Sequence, residues 1–467
     1  MKQNLTFGET LSLTSMLFGL FFGAGNLIFP VYMGQMAGSA VLPALAGFLV
    51  TGVGMPLLGV VAIGITGSEG LRDLCRKRIG DRFAYAFTCA LYLAIGPFFA
   101  CPRCVTVPYE VGIRQILPAG ISSQTGLFLF SLLFYILTLA ISLKPGNILT
   151  WIGRILNPIF FVVLGILLIT ALTHPTGNIA SFDAVGAYGT NAVAQGILDG
   201  YNTMDALAGL AFGIVVINVV RSRGVTEPSA VARNTVRAGI LSCVLMAFIY
   251  VLVALAGAGS RGFAALSDNG GAVLSDIASY YFHGYGALLL AGIVFFACLK
   301  TVIGLVTSCS SCFVEMFPGV LSYKKWAILF STITFVIANA GLSSIIKISL
   351  PVLMMLYPIA ITLIVLAVAG HIVPLPVEIR LGMMTAAVIS SVFDFVRALP
   401  ADWIAAANLG GALSFLEAKL PFFADGFGWL LPTIAGFFIG WICFRLRTGR
   451  SVPDKAQTDD KIRADQA

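Results

Sequence analysis

Phe18-Gly-Leu-Phe-Phe-Gly-Ala-Gly-Asn-Leu-Ile-Phe-Pro30 lies near the start of the chain, inside an otherwise apolar run. Gly19, Gly23, Gly25 and Pro30 concentrate helix breakers where a plain lipid-facing helix has no use for them. The irregularity returns at Asn202-Thr203-Met204-Asp205-Ala206, followed by Gly209 and Gly213, in a second apolar run. An interruption of this kind frees backbone N–H and C=O groups that cannot be left bare in hydrocarbon, so they must face protein, water or ligand.

That the surroundings are hydrocarbon follows from composition. Of 467 residues, 58% are hydrophobic and only 10% charged, against about 25% charged in a soluble domain. Apolar runs of about 20 residues, each long enough to cross a bilayer as a helix, recur along the chain. They predict an all-α membrane protein of about twelve transmembrane helices, at roughly 9–37, 40–67, 83–114, 124–143, 149–172, 199–221, 229–257, 284–317, 325–341, 347–370, 381–399 and 428–446. Residues 1–446 then form one membrane domain, with no removable signal peptide expected at the first span. Residues 447–467, with Asp454, Asp459 and Asp460 among several Lys and Arg, are expected to be a disordered cytoplasmic tail.

Basic residues set the orientation. With both termini inside, Arg72, Arg76, Lys77, Arg78 and Arg82 share one inner loop, and Arg221, Arg223, Lys324 and Lys325 fall on the same side. The segment 173–198 carries no Lys or Arg and is expected outside as a loop, as is 258–283. The net charge of +7 thus reports topology, and a nucleic-acid reading has no solvated domain to rest on.

The two interruptions occupy spans one and six, five spans apart. That spacing predicts two inverted five-helix repeats with substrate near the bilayer middle, where the first helix of each repeat is unwound. The half-helix N-terminus after a break suits a carboxylate, and Asn26 either contacts the ligand or caps that half-helix. Gly19 taken alone is better read as a close helix contact.

At these residues the chain resembles the bacterial branched-chain amino acid carriers, the system II family, within the superfamily sharing the leucine-transporter fold. The resemblance rests on the Phe18–Pro30 string, on Thr203-Met-Asp-Ala-Leu-Ala-Gly-Leu-Ala-Phe-Gly213, on Pro102-Arg103 followed by Glu110-Val-Gly112, and on Tyr357-Pro358. It implies a secondary active transporter importing leucine, isoleucine and valine across the bacterial inner membrane, coupled to sodium or protons, with no other cofactor and no enzymatic activity. It places the substrate carboxylate on the amides of Ala24 and Gly25, beside Gly23 and Asn26, and the ammonium on carbonyls near Phe21 and near Ala206-Leu207. Gly209 falls where relatives in the superfamily carry a hydroxyl, so that contact is expected to be missing or water-filled, and Phe212 is expected to wall the pocket. A hydrophobic pocket resolves one methylene by only about 1–3 kcal/mol, so all three branched side chains should be accepted.

The resemblance also implies an ion site, formed by carbonyls of Gly19 and Phe22 with a carbonyl and two hydroxyls of span eight. Aligned by Ala297-Cys-Leu-Lys-Thr301, the hydroxyl pair becomes Lys300-Thr301. A charge at that depth costs at least about 2.5–3.5 kcal/mol and marks a functional candidate. Lys300 either replaces sodium at the span-one carbonyls, so that coupling passes to protons or vanishes and the protein is a sodium-independent carrier of other neutral amino acids, or forms a static ion pair or snorkels to a vestibule. Arg103, Glu110 and Asp205 are the other ionisable groups inside spans. Arg103 and Glu110 share a helix face about 10 Å apart, and Asp205 could hold Arg103, orient span six or transfer protons. The pairs Cys101/Cys104 and Cys309/Cys312 lie inside apolar spans with no His beside them, and are read as helix contacts. No convergent nucleophile, base or metal cluster suggests a membrane enzyme, and no ring of like charges suggests a channel.

Overall fold

A computed structural model describes residues 3–118 and 120–448 as a succession of helices with no strand. In chain order these are α1 Phe7–Phe21, α2 Gly25–Ala37, α3 Val41–Leu49, α4 Met55–Ile65, α5 Leu71–Arg78, α6 Asp81–Leu93, α7 Ala100–Val111, α8 Ser123–Ser142, α9 Asn157–Thr173, α10 Ala187–Asn202, α11 Asp205–Ser222, α12 Pro228–Gly259, α13 Gly270–Phe282, α14 Gly286–Met316, α15 Tyr323–Ala338, α16 Leu342–Ile372, α17 Val377–Arg397, α18 Ala401–Ala406, α19 Gly410–Lys419 and α20 Leu430–Thr448. Most of the tail expected at 447–467 lies outside the described residues.

Local chemistry sets many of the helix ends. Thr6 and Glu9 form a reciprocal capping box at the start of α1, so Glu9 is engaged in starting that helix. Glu227 accepts from the amides of Ser229 and Ala230 ahead of Pro228, a proline where its missing N–H costs nothing. After α11 the chain turns at Gly224, whose φ of 84° suits a residue without a β-carbon. Between α6 and α7 the helix is wound wide over Ala94–Phe98 and bends at Gly96-Pro97, where Gly96 has ψ −117°.

Among the described residues, ten helical stretches are long and apolar enough to cross a membrane by length and composition, and Phe7–Phe21 is a shorter apolar helix. The count differs from the twelve expected for two reasons. Gly25–Ile65 runs the second half of the broken first span into the second, and Tyr323–Ala338 has only 16 residues. The expected loop 173–198 is corrected by the structure: its second half is helical, because α10 begins at Ala187 and supplies a close helix contact. Segment 258–283 likewise contains α13.

The chain divides into two units. The first comprises residues up to Val60 together with Tyr92–Ile346, and the second Val61–Leu91 together with the residues from Lys347 onward. Glycine seams hold the first unit. A β-carbon on Gly34 of α2 would stand 2.0 Å from the Ala254 carbonyl oxygen of α12, and one on Gly257 of α12 would stand 2.0 Å from that of Val31. Between α3 and α10, β-carbons on Gly47 and Gly196 would lie 2.1 and 1.9 Å from the carbonyl oxygens of Val193 and Ala44. Without a hydrophobic force between helices in lipid, backbone contact of this kind supplies the packing. Thr51 adds a hydrogen bond to the Ile197 carbonyl at 2.7 Å. Large apolar side chains such as Val162, Ile169, Val244, Phe248 and Val336 stand exposed, as lipid-facing residues do.

The second unit has its own seam. Gly382 of α17 and Gly436 of α20 each leave room for the other's carbonyl, with an added β-carbon 2.4 Å away in either direction. In the basic segment around α5, Asp73 bridges Arg76 at 2.9 Å and Lys77 at 2.7 Å. Partial burial lifts its carboxyl, but the two hydrogen bonds outweigh this and hold it below the usual carboxylate range.

The α3–α10 seam yields a direct test. Gly196→Val should lower the melting temperature of the detergent-purified protein by several degrees or prevent its recovery, since overpacking costs about 1–3 kcal/mol or more. Gly165→Ala in α9, where an added β-carbon meets nothing within 4 Å, should leave it unchanged.

Candidate substrate site

The first break falls between α1 and α2. Phe22 leaves the helical region at φ −76°, ψ 90°, and α2 restarts at Gly25 with no side-chain cap. The second break is Thr203-Met204, between α10 and α11, where Met204 adopts a left-handed φ of 66°. That conformation is costly without glycine and persists only where the surroundings enforce it. Here Met204 donates its amide to the Tyr201 carbonyl at 3.0 Å and is buried.

Both breaks border one small cavity within the first unit. Phe21, Gly23, Ala24, Gly25, Asn26, Arg103, Asp205, Phe212 and Thr301, all singled out from sequence, line it. Leu20, Ile95, Met204, Ala208 and Leu305 extend the apolar wall, and Thr203 and Cys104 complete the polar side. All nine cysteines are free thiols.

A polar triangle joins the breaks. Asn26 accepts from the Gly23 amide at 2.9 Å and donates to Asp205 Oδ2 at 2.6 Å and to the Tyr250 hydroxyl. Tyr250 in turn donates to Asp205 Oδ2 at 2.8 Å. All three side chains are buried. The Asn26 side-chain amide thus ties the first break to the second while lining the cavity. Tyr250, in the middle of α12, was not anticipated, and a lone tyrosine within an apolar run was the only sequence signal for it.

Arg103 is buried on α7. Its Nη1 donates to the Asn202 carbonyl at 3.2 Å, and the guanidinium lies 5.6 Å from the Phe29 ring centre. Several expectations need correction. Glu110 sits at the partly exposed end of α7 and pairs with Arg114 at 2.6 Å, one turn away, so it is not an intramembrane partner for Arg103. Ala206 and Leu207 lie in the first turn of α11, where the helix ladder uses their carbonyls, because the helix has already resumed at Asp205. Gly209 does not face the cavity: a β-carbon there would stand 2.7 Å from the Pro56 carbonyl oxygen, so a helix contact fills the place expected to be open or wet.

The expected ion site is divided between two neighbours on α14. Thr301 donates to the Gly19 carbonyl at 3.3 Å, one helical turn beyond Ala297, and an added β-carbon on Gly23 would lie 3.1 Å from its hydroxyl. Lys300 does something else. Fully buried, it donates to Asn157 Oδ1 at 2.7 Å and lies 3.5 Å from the centre of the Phe160 ring, 5.0 Å from that of Phe18 and 5.7 Å from that of Phe22. This is an amide-and-aromatic cage, not an ion pair or a route to water. Asn157 donates onward to the Ser15 carbonyl and to Ser15 Oγ. It is the second residue missed from sequence, although an Asn-Pro pair inside an apolar run was visible. Gly19 also packs closely, since a β-carbon there would lie 2.6 Å from Ile152.

Two solved structures resemble the chain in overall fold. Mhp1, a nucleobase-cation-symport-1 family transporter in a closed conformation with bromovinylhydantoin bound, matches with a TM-score of 0.56 at 13% identity over 96% of this chain and 95% of its own. MhsT in complex with L-phenylalanine matches with a TM-score of 0.54 at 17% identity over 94% and 100%. Both place the chain in the leucine-transporter fold. By sequence, the chain is 51% identical to the branched-chain amino acid permease BrnQ of Lactobacillus delbrueckii subsp. lactis over 94% of its length and 97% of the relative's. It is 39% identical to the permease BraB of Bacillus subtilis over 95% and 97%. The family model described as branched-chain amino acid transport protein matches residues 7–447. A chain covered end to end by that model, and by permeases at this identity, belongs to the branched-chain amino acid transport protein family.

Proposed function

We propose that this protein is a secondary active carrier importing leucine, isoleucine and valine across the bacterial plasma membrane, with both termini cytoplasmic and residues 1–446 acting as one carrier domain. The observation carrying this reading is the cavity at the two helix breaks, polar along Gly23–Asn26, Arg103 and Asp205, and apolar along Leu20, Phe21, Ile95, Phe212 and Leu305. Such a division suits a zwitterion with an aliphatic side chain. The carboxylate faces the start of α2 at Gly25, where the helix dipole is positive. Because Ala206 and Leu207 are used within α11, the ammonium is assigned to the polar edge at Thr203 and Asp205.

Transport is ion-coupled, to sodium or protons, and the coupling site is assigned to the carbonyls of Gly19, Phe22 and Ala297 with the Thr301 hydroxyl. The contact between Thr301 and Gly19 supports this placement. A second reading, uptake independent of sodium, is favoured by Lys300. Its ammonium is fixed one residue from Thr301 among partners that are an amide oxygen and ring faces, and a second cation beside it would be repelled strongly at low dielectric.

Purified protein in proteoliposomes should show saturable leucine uptake and counterflow, competed by isoleucine and valine. Gly25→Val, inserted and folded, should lose that uptake by more than tenfold, because its β-carbon would stand 3.0 Å from the Arg103 guanidinium and 3.3 Å from Phe29. Normal leucine affinity in this variant would remove the site from 23–25.

Coupling is read by exchanging sodium for choline at fixed membrane potential. A steep fall supports the Thr301 sodium site, and dependence on a pH gradient alone supports protons. Undiminished uptake in choline, together with sodium stimulation appearing in Lys300→Thr, supports the lysine as a built-in cation.

A further inference from the structure

The guanidinium of Arg103 reaches both helix breaks, and the fold provides for it at each. At the second, Nη1 donates to the carbonyl of Asn202, the last residue of α10. At the first, Nη2 stands 3.0 Å from where a β-carbon of residue 25 would be, a closeness that glycine permits. The Phe29 ring, one turn into α2, lies under the guanidinium at 5.6 Å and limits where it can swing. Arginine keeps its charge in any protein environment, and burying that charge among helices is expensive. The charge is delivered to the wall of the cavity next to the first residues of α2.

The other ionisable side chain in the cavity wall is Asp205, whose Oδ2 accepts from both Asn26 and Tyr250. Arg103 is therefore the group in the wall with fixed charge and several planar donors, at the end of the cavity where a substrate carboxylate would meet Gly25. The apolar part of the wall, Leu20, Phe21, Ile95 and Phe212, offers an anion nothing.

We propose that Arg103 is the specificity-determining residue for the substrate's α-carboxylate, so that this carrier rejects amino-acid amides and alcohols whose side chains would otherwise fit. The proposal rests on the assignment of branched-chain amino acids to this cavity. The carboxylate takes a charge-assisted hydrogen bond from Nη2 while Nη1 stays on Asn202, so ligand and guanidinium together bridge the breaks before α2 and α11. A lysine at 103 would supply charge without the second donor arm.

The test is equilibrium binding of radiolabelled leucine and leucinamide to the purified full-length protein in nanodiscs. Wild type should bind leucine far more tightly than leucinamide. Arg103→Gln should weaken leucine by about 10- to 100-fold, the worth of a hydrogen bond to a charged group, while changing leucinamide little, so that the preference collapses. Arg103→Lys should keep part of the preference. Gly25→Ala, which retains the charge but sets a methyl group against Nη2, should weaken leucine more than leucinamide, and it decides the matter if Arg103→Gln is not recovered folded. Equal losses for both ligands in these variants would make Arg103 merely structural and overturn the proposal, as would an unchanged preference. A wild-type protein that binds neither ligand nor valine would instead sink the transport reading itself, and this inference with it.

Discussion

The hydrogen bonds from Asn26 and Tyr250 to the Asp205 carboxylate are the constraint on which the centre of the molecule depends. Each break strands backbone groups in a place without bulk water, and each would be intolerable alone. Asn26 addresses both at once, taking the Gly23 amide on its oxygen and giving its own protons to Asp205 and Tyr250. Asp205 opens α11, so the triangle also fixes where the second half-helix begins. Removing one member would leave buried partners unsatisfied, at about 1–3 kcal/mol each and more for a charged group. The strained φ of Met204 is held immediately beside this junction.

A second tie runs from α14 through Lys300 and Asn157 to Ser15 on α1. It is built on different physics: one hydrogen bond to an amide oxygen, with the rest of the ammonium sheltered by aromatic faces. The neighbouring Thr301 meets the same helix at Gly19. Consecutive residues on α14 therefore grip α1 at two places, one with charge and one with a hydroxyl. Gly19 and the Lys300 cage thus meet α14 at adjacent residues.

Much of this was legible in the residues. Helix breakers inside apolar runs located both breaks, and nine of the residues marked from sequence line one cavity. What escaped was direction. Sequence put a lysine at the depth of the ion site, but whether its side chain turned to the Gly19 carbonyl or to Asn157 depends on rotamers and on rings from three other stretches of chain. Gly209 looked like a vacancy because the helix it contacts, through Pro56, is remote in sequence. Glu110 looked deep because its run was apolar, yet Arg114 lies one turn further on. The α10 helix was mistaken for a loop because lack of basic residues reports sidedness and carries no information on helicity.

The glycine seams bear on how such a molecule could move. Where α2 meets α12, and α3 meets α10, carbonyl oxygens sit in the space a β-carbon would take, so these pairs have no lubricating layer of side chains along which one helix could slip past the other. Close backbone contact resists shear there, whereas the helix ladder is interrupted at Phe22–Ala24, at the Gly96-Pro97 bend and at Thr203-Met204, which are the joints between otherwise stiff segments.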